Sequence, residues 1–88
     1  MNNNKTAIIT GAGTGIGKGI ALKFAESDFN LILASRNVDN LNKVKKDCDL
    51  LNNDSSYVIQ TDITDEKSVD NLFSESKSKL GKIDVLIN

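Results

Sequence analysis

Apolar positions in this chain come in two kinds, short unbroken runs and longer stretches where they recur every three or four residues. The run Thr6-Ala7-Ile8-Ile9 within 5–10 predicts a first strand. Ile16, Ile20, Ala21, Phe24 and Ala25 follow at helical spacing while Lys18, Lys23 and Glu26 fall on other faces, which predicts a helix. Leu31-Ile32-Leu33 within 29–34 is apolar on both faces, as a central parallel strand must be. Val38, Leu41, Val44, Cys48 and Leu51 outline a second helix that Asn37 or Asp39 can cap. Asn52-Asn53-Asp54-Ser55 is a turn cluster, and Tyr57-Val58-Ile59 is a third strand. Thr64 or Asp65 then opens a third helix with Val69, Leu72, Phe73 and Leu80 inward and Gly81 as its stop, before a last apolar strand over 83–87.

Strands alternating with helices of this length call for right-handed crossovers and a parallel sheet. The expected architecture is α/β, a doubly wound parallel sheet of strand order 3-2-1-4, with its ligand crevice at the carboxyl ends beside the first and fourth strands. A central parallel strand needs a neighbour on each side and helices on both faces, yet the sequence stops at Asn88 directly after an apolar strand. The expectation is therefore one partial domain over residues 1–88, belonging to a truncated protein.

Composition narrows the function classes. Eleven Lys and Arg against 12 Asp and Glu, interspersed rather than segregated, give a net charge of −1 and no electrostatic reason to expect nucleic acid or an anionic membrane as partner. No stretch is long and apolar enough to span a bilayer, and the polar start Met1-Asn2-Asn3-Asn4-Lys5 has no apolar segment behind it, so a cytoplasmic location is the default. With one cysteine and no histidine, neither an internal disulfide nor a Cys/His metal site is expected; Cys48 is read as a small apolar residue on a helix face.

The chemistry lies in Thr10-Gly11-Ala12-Gly13-Thr14-Gly15-Ile16-Gly17, where a strand turns into a helix through glycine. A pyrophosphate needs backbone N–H groups at close range and the positive end of a helix dipole, and both require that no Cβ intervene. Spacing separates the competing motifs. A phosphate-binding loop ending in Gly17-Lys18 would need glycine at Ala12 and a hydroxyl at Gly19, and G-x-G-x-x-G fails because Ile16 or Lys18 falls in the last place. What fits is T-G-x-x-x-G-x-G, together with Asp62 just after the third strand and Asn88 just after the fourth. In these three ordered landmarks, spread along the whole chain, the sequence resembles the short-chain dehydrogenase/reductase family, of Rossmann type.

The resemblance implies a nicotinamide cofactor and a role for each matched residue. Gly11 would make the tight turn, Gly15 would admit the pyrophosphate, and Gly17 would let the first helix pack on the sheet, with Thr14 and Ile16 lining the phosphate side. Asp62 would accept a hydrogen bond from the adenine amino group; Ile63 beside it and Asn88 complete the expected cofactor-binding set. Ser35-Arg36 follows the second strand about 20 residues after the glycines, where an NAD site presents a carboxylate to the ribose. No acid stands there. The Arg36 guanidinium and the Ser35 hydroxyl suit a 2′-phosphate, so NADP(H) is favoured over NAD(H).

The family's Tyr, the Lys four residues beyond it, its Ser and its helix Asn would all fall past Asn88, so no catalytic residue is assigned, and Tyr57 is read as core. The implied parent is an oxidoreductase that moves hydride between nicotinamide and a small carbonyl or alcohol substrate, assembled as a homo-oligomer. Two other readings stay open at this point. Gly11-x-Gly13-x-Gly15 with Asp62 also suits an S-adenosylmethionine methyltransferase, although Ser35-Arg36 replaces the ribose-binding carboxylate expected there. A nucleotide-sensing module without chemistry is the other.

Overall fold

The computed structural model describes residues 5–13, 15–52 and 55–88. Its elements follow the order β1 (Thr6–Thr10), α1 (Gly15–Glu26), β2 (Asn30–Ser35), α2 (Val38–Leu51), β3 (Ser56–Gln60), α3 (Glu66–Leu80) and β4 (Val85–Ile87). All strand pairs are parallel, and the four-stranded sheet has the order β3-β2-β1-β4.

Two apolar layers follow from the period-2 alternation of the strands. Ala7, Ile9, Leu31 and Leu33 project to one face and meet Ala21 and Ala25 of α1 and Leu41, Val44 and Cys48 of α2. Ile8, Ile32, Ala34 and Ile59 project to the other and meet Leu72 of α3, with Tyr57, Phe73, Leu80 and Ile83 packed at its margin. β1 and β2 are thus buried on both faces, which explains why their sequences read as continuous apolar runs. Tyr57, expected in the core, is half-buried at its margin, with the Lys79 ammonium 5.6 Å from its ring centre.

Capping chemistry decides the helix starts. The Asn37 side chain accepts from the Asn40 amide at 3.0 Å, so Asn37 rather than Asp39 caps α2. Asp65 rather than Thr64 caps α3 through the Lys67 amide, because Thr64 is engaged with Asp62. Gly81 ends α3 in the left-handed conformation at φ 80°.

Several expectations are corrected. Ile16 belongs to the helical apolar series by spacing, but at the first turn of α1 it is 84% exposed. Leu51, at the last turn of α2, is 46% exposed rather than inward. Buried polar residues took places that periodicity could not anticipate. Asn52 donates from Nδ2 to the Phe29 carbonyl at 2.7 Å and joins the end of α2 to the start of β2. Ser76 lies on the inward face of α3 and returns its hydroxyl proton to the Leu72 carbonyl at 2.6 Å.

The last strand is shorter than predicted, and Asp84 ties the chain to β1 just before it begins. The Asp84 carboxylate accepts from the Thr6 amide at 2.8 Å, and the Asp84 amide donates to the Thr6 carbonyl at 2.9 Å. Thr6 is buried, so Asp84→Ala leaves an amide donor with neither partner nor water. The expected loss is about 1.5–3 kcal/mol by urea unfolding, with Asp84→Asn losing clearly less because an acceptor oxygen remains. Equal stability of Asp84→Ala and the parent chain would show that this tie does not register β4.

Candidate functional site

The carboxyl ends of β1, β2 and β3 open onto two adjoining hollows. One, of about 250 Å³, is lined by Gly11, Gly13, Ser35, Arg36, Asn37 and Asn40. The other, of about 350 Å³, is lined by Gly11, Ser35, Arg36, Thr61, Asp62, Ile63 and Thr64. Gly11, Ser35 and Arg36 border both.

Backbone geometry explains the glycines individually. Gly11 and Gly15 take φ values of 63° and 58°, in the left-handed region that L side chains disfavour. Gly17 is required for another reason: a Cβ on it would lie 2.0 Å from the Gly11 carbonyl oxygen. The space it leaves is filled by the turn after β1 rather than by the sheet, so Gly17 seats the glycine loop against its own helix. Gly13 approaches α2, where a Cβ would stand 3.2 Å from that of Asn40 and 3.4 Å from Ser35 Oγ. The first turn of α1 holds no acidic residue to compete for its N–H groups.

β2 supplies the next wall. The Ala12 amide donates to the Ala34 carbonyl at 3.4 Å and the Thr61 amide to the Ser35 carbonyl at 2.9 Å, holding the glycine loop and the end of β3 on either side of Ser35. Ser35 Oγ is shielded from solvent and finds no hydrogen-bond partner among the described residues. Gln60 Nε2 donates to the Arg36 carbonyl at 3.1 Å, fixing the backbone. The exposed Arg36 guanidinium joins no ion pair among the described residues.

Asp62 forms the third side. Thr64 donates to Asp62 Oδ1 twice, from its hydroxyl at 2.6 Å and its amide at 2.9 Å, while the Asp62 amide donates to Ser68 Oγ at 2.9 Å. The Thr64 hydroxyl, then its amide, and more weakly the Arg36 charge, hold the carboxyl below its ordinary value of 3.8. The folded chain therefore binds fewer protons here than the unfolded chain. The stabilisation is complete above pH 3.8 and is lost as pH falls through the lowered folded value. Asp62→Asn is expected to flatten the dependence of the urea midpoint on pH in the acid range; an unchanged slope would contradict this. Cys48 lies elsewhere, under α2, where burial pushes its thiol to about 11 and keeps it protonated at neutral pH.

The structure thus brings together Gly11, Ser35, Arg36, Asp62 and Ile63. Gly15 and Ile16 sit at the start of α1, and Gly17 lies beneath the turn. Thr14 is outside the described residues. Asn88 stands apart, at the end of β4: Thr10 Oγ1 donates to the Ile87 carbonyl at 3.1 Å and to Asn88 Oδ1 at 3.3 Å. Thr10, Asn88 and Ile63 border a further hollow of about 390 Å³, otherwise lined by Val69, Leu72, Phe73 and Leu86. Of the residues lining the hollows, sequence reasoning left out Asn37, Asn40, Thr61 and Thr64, having weighed Asn37 and Thr64 only as caps, and took Gly13 only as a place in the glycine motif. Among the described residues no cluster of three or more metal-ligating side chains occurs, and no helix is long and apolar enough to cross a membrane.

Residues 5–88 match the sequence pattern of the short chain dehydrogenases. The chain belongs to that family. It is 39% identical over 87 residues to the NADPH-dependent reductase BacG of Bacillus subtilis (strain 168), covering 98% of this chain and 34% of that protein. It superposes with TM-score 0.91 on YwfH, described as an NADPH dependent reductase involved in bacilysin biosynthesis, at 41% identity over 96% of this chain and 36% of the other. With the 3-ketoacyl-(acyl-carrier-protein) reductase of Brucella melitensis, solved with NADH, the TM-score is 0.85 at 33% identity, over 93% of this chain and 32% of that one. The chain spans about a third of the length of these relatives. Neither the methyltransferase reading nor that of a nucleotide sensor finds support in the comparisons.

Proposed function

We propose that this chain is the dinucleotide-binding part of an NADP(H)-dependent short-chain reductase, and that the hollows around Gly11, Ser35 and Arg36 receive the adenosine end of the cofactor. The observation that carries the reading is the pair Ser35-Arg36 at the carboxyl end of β2. Ser35 and Arg36 border both hollows at the point where a ribose-binding carboxylate would reject a 2′-phosphate, and among the described residues the Arg36 guanidinium joins no ion pair and the shielded Ser35 Oγ has no hydrogen-bond partner.

In this reading the glycine turn after β1 and the open N-terminus of α1 hold the pyrophosphate, with Thr14 and Ile16 as its expected contacts and Gly17 keeping the turn seated. Asp62 accepts from the adenine amino group, with Ile63 against the base. Asn88, oriented by Thr10 Oγ1, stands toward the nicotinamide half. The nicotinamide, when bound, supplies or takes up the hydride exchanged with a carbonyl or alcohol carbon. This chain's residues contribute position and charge. The complete protein is read as a cytoplasmic homo-oligomer acting on a small molecule.

The names of BacG and YwfH support NADPH, while the NADH-bound relative marks the family as divided, so the preference is assigned from Ser35-Arg36. Calorimetric titration of the chain is expected to give a dissociation constant for NADP⁺ about tenfold or more below that for NAD⁺. Equal constants would overturn the cofactor preference.

A further inference from the structure

Asp62 is held at almost every polar atom. Its amide donates to Ser68 Oγ at 2.9 Å, its carbonyl accepts from the Asp65 amide at 3.0 Å, and its Oδ1 accepts both the hydroxyl and the amide of Thr64. Oδ2 alone has no hydrogen-bond partner among the described residues. A carboxylate on a surface turn would ordinarily rotate about its side-chain torsions, and two bonds to one oxygen remove that freedom.

We propose that Thr64 is a positioning residue that fixes the Asp62 carboxylate with Oδ2 presented to the hollow, and so sets the preference of the site for a 6-amino over a 6-oxo purine. The inference rests on the reading that Asp62 faces the base. Adenine offers an N–H donor at position 6, which Oδ2 accepts; hypoxanthine offers a carbonyl oxygen there, which a fixed carboxylate repels. A carboxylate free to swing away would lose the attraction to the first and avoid the repulsion from the second, so discrimination falls even where total affinity changes little. Thr64 itself borders the 350 Å³ hollow and is exposed, so its hydroxyl is not needed to fill the core. Asp65, not Thr64, caps α3, so the helix start survives loss of the hydroxyl.

The test compares dissociation constants for NADP⁺ and its hypoxanthine analogue in the parent chain, Thr64→Val, Thr64→Ser and Asp62→Asn. The parent is expected to favour NADP⁺ about tenfold or more. Thr64→Val, which keeps the shape and the backbone bond but removes the hydroxyl, is expected to narrow that ratio about threefold or more, and Thr64→Ser to restore it. Asp62→Asn, whose amide can donate to a 6-oxo group, is expected to abolish the preference. If Thr64→Val leaves the ratio unchanged, or lowers both affinities in parallel, Thr64 has no positioning role and the inference fails. If Asp62→Asn leaves the ratio unchanged, the placement of adenine at Asp62 fails instead.

Discussion

Replacing Gly17 by alanine is expected to lower the stability of the chain by about 1–3 kcal/mol or more. The added Cβ would stand 2.0 Å from the Gly11 carbonyl oxygen, 2.7 Å from the Gly11 carbonyl carbon and 3.1 Å from the Ala12 Cα. All three are backbone atoms, so no rotamer change relieves the contact, and either α1 or the glycine turn must move. A domain of this size is stable by only some 5–15 kcal/mol, and each kcal/mol lost lowers its melting temperature by about 4–8 °C. Gly19, one position further along the helix from Lys18, supplies the control: nothing lies within 4 Å of a Cβ built there. Gly19→Ala is expected to stabilise the helix by up to about 1 kcal/mol. Thermal unfolding followed by circular dichroism separates the two, and a Gly17→Ala chain that melts with the parent would show that the loop is not seated on α1 as described.

The second large effect concerns charge. Arg36→Asp is expected to weaken NADP⁺ binding about 10- to 100-fold, because it would remove the proposed charge-assisted phosphate contact, worth about 1.5–3 kcal/mol, and put a carboxylate where the 2′-phosphate is proposed to lie. NAD⁺, whose ribose hydroxyl can donate to the new carboxylate, is expected to hold its affinity or gain. Calorimetry on both cofactors reads the ratio directly. Equal losses would mean that Arg36 supports the site without reading the 2′-phosphate.

Much of this was legible from residue order because each signal had one physical cause. Unbroken apolar runs at Ile8-Ile9 and Leu31-Ile32-Leu33 arise only when both faces of a strand are covered, and two-sided coverage with alternating helices leaves a parallel sheet. The positive φ of Gly11 and Gly15 was implicit in a glycine-rich turn between a strand and a helix. Asn37, Asn40 and Thr64 were less legible because their place beside the hollows comes from tertiary packing: α2 is brought against Gly13, and the turn after β3 folds Thr64 back on Asp62. The contact that demands glycine at position 17 also comes from close backbone packing, which hydrophobic periodicity does not encode. Asp84 carried no signal, since its value depends on a Thr6 amide at the far end of the sequence.

The cofactor is expected in the hollows at the carboxyl ends of β1, β2 and β3. The most direct test is a titration of the ¹⁵N-labelled chain with NADP⁺, following backbone amide shifts. Saturable changes are expected at Gly11, Gly13, Gly15, Arg36 and Asp62, with Phe24, Ser27 and Phe29, at the opposite end of the sheet, unaffected. Changes centred on those last residues, or none at all at millimolar NADP⁺, would contradict it.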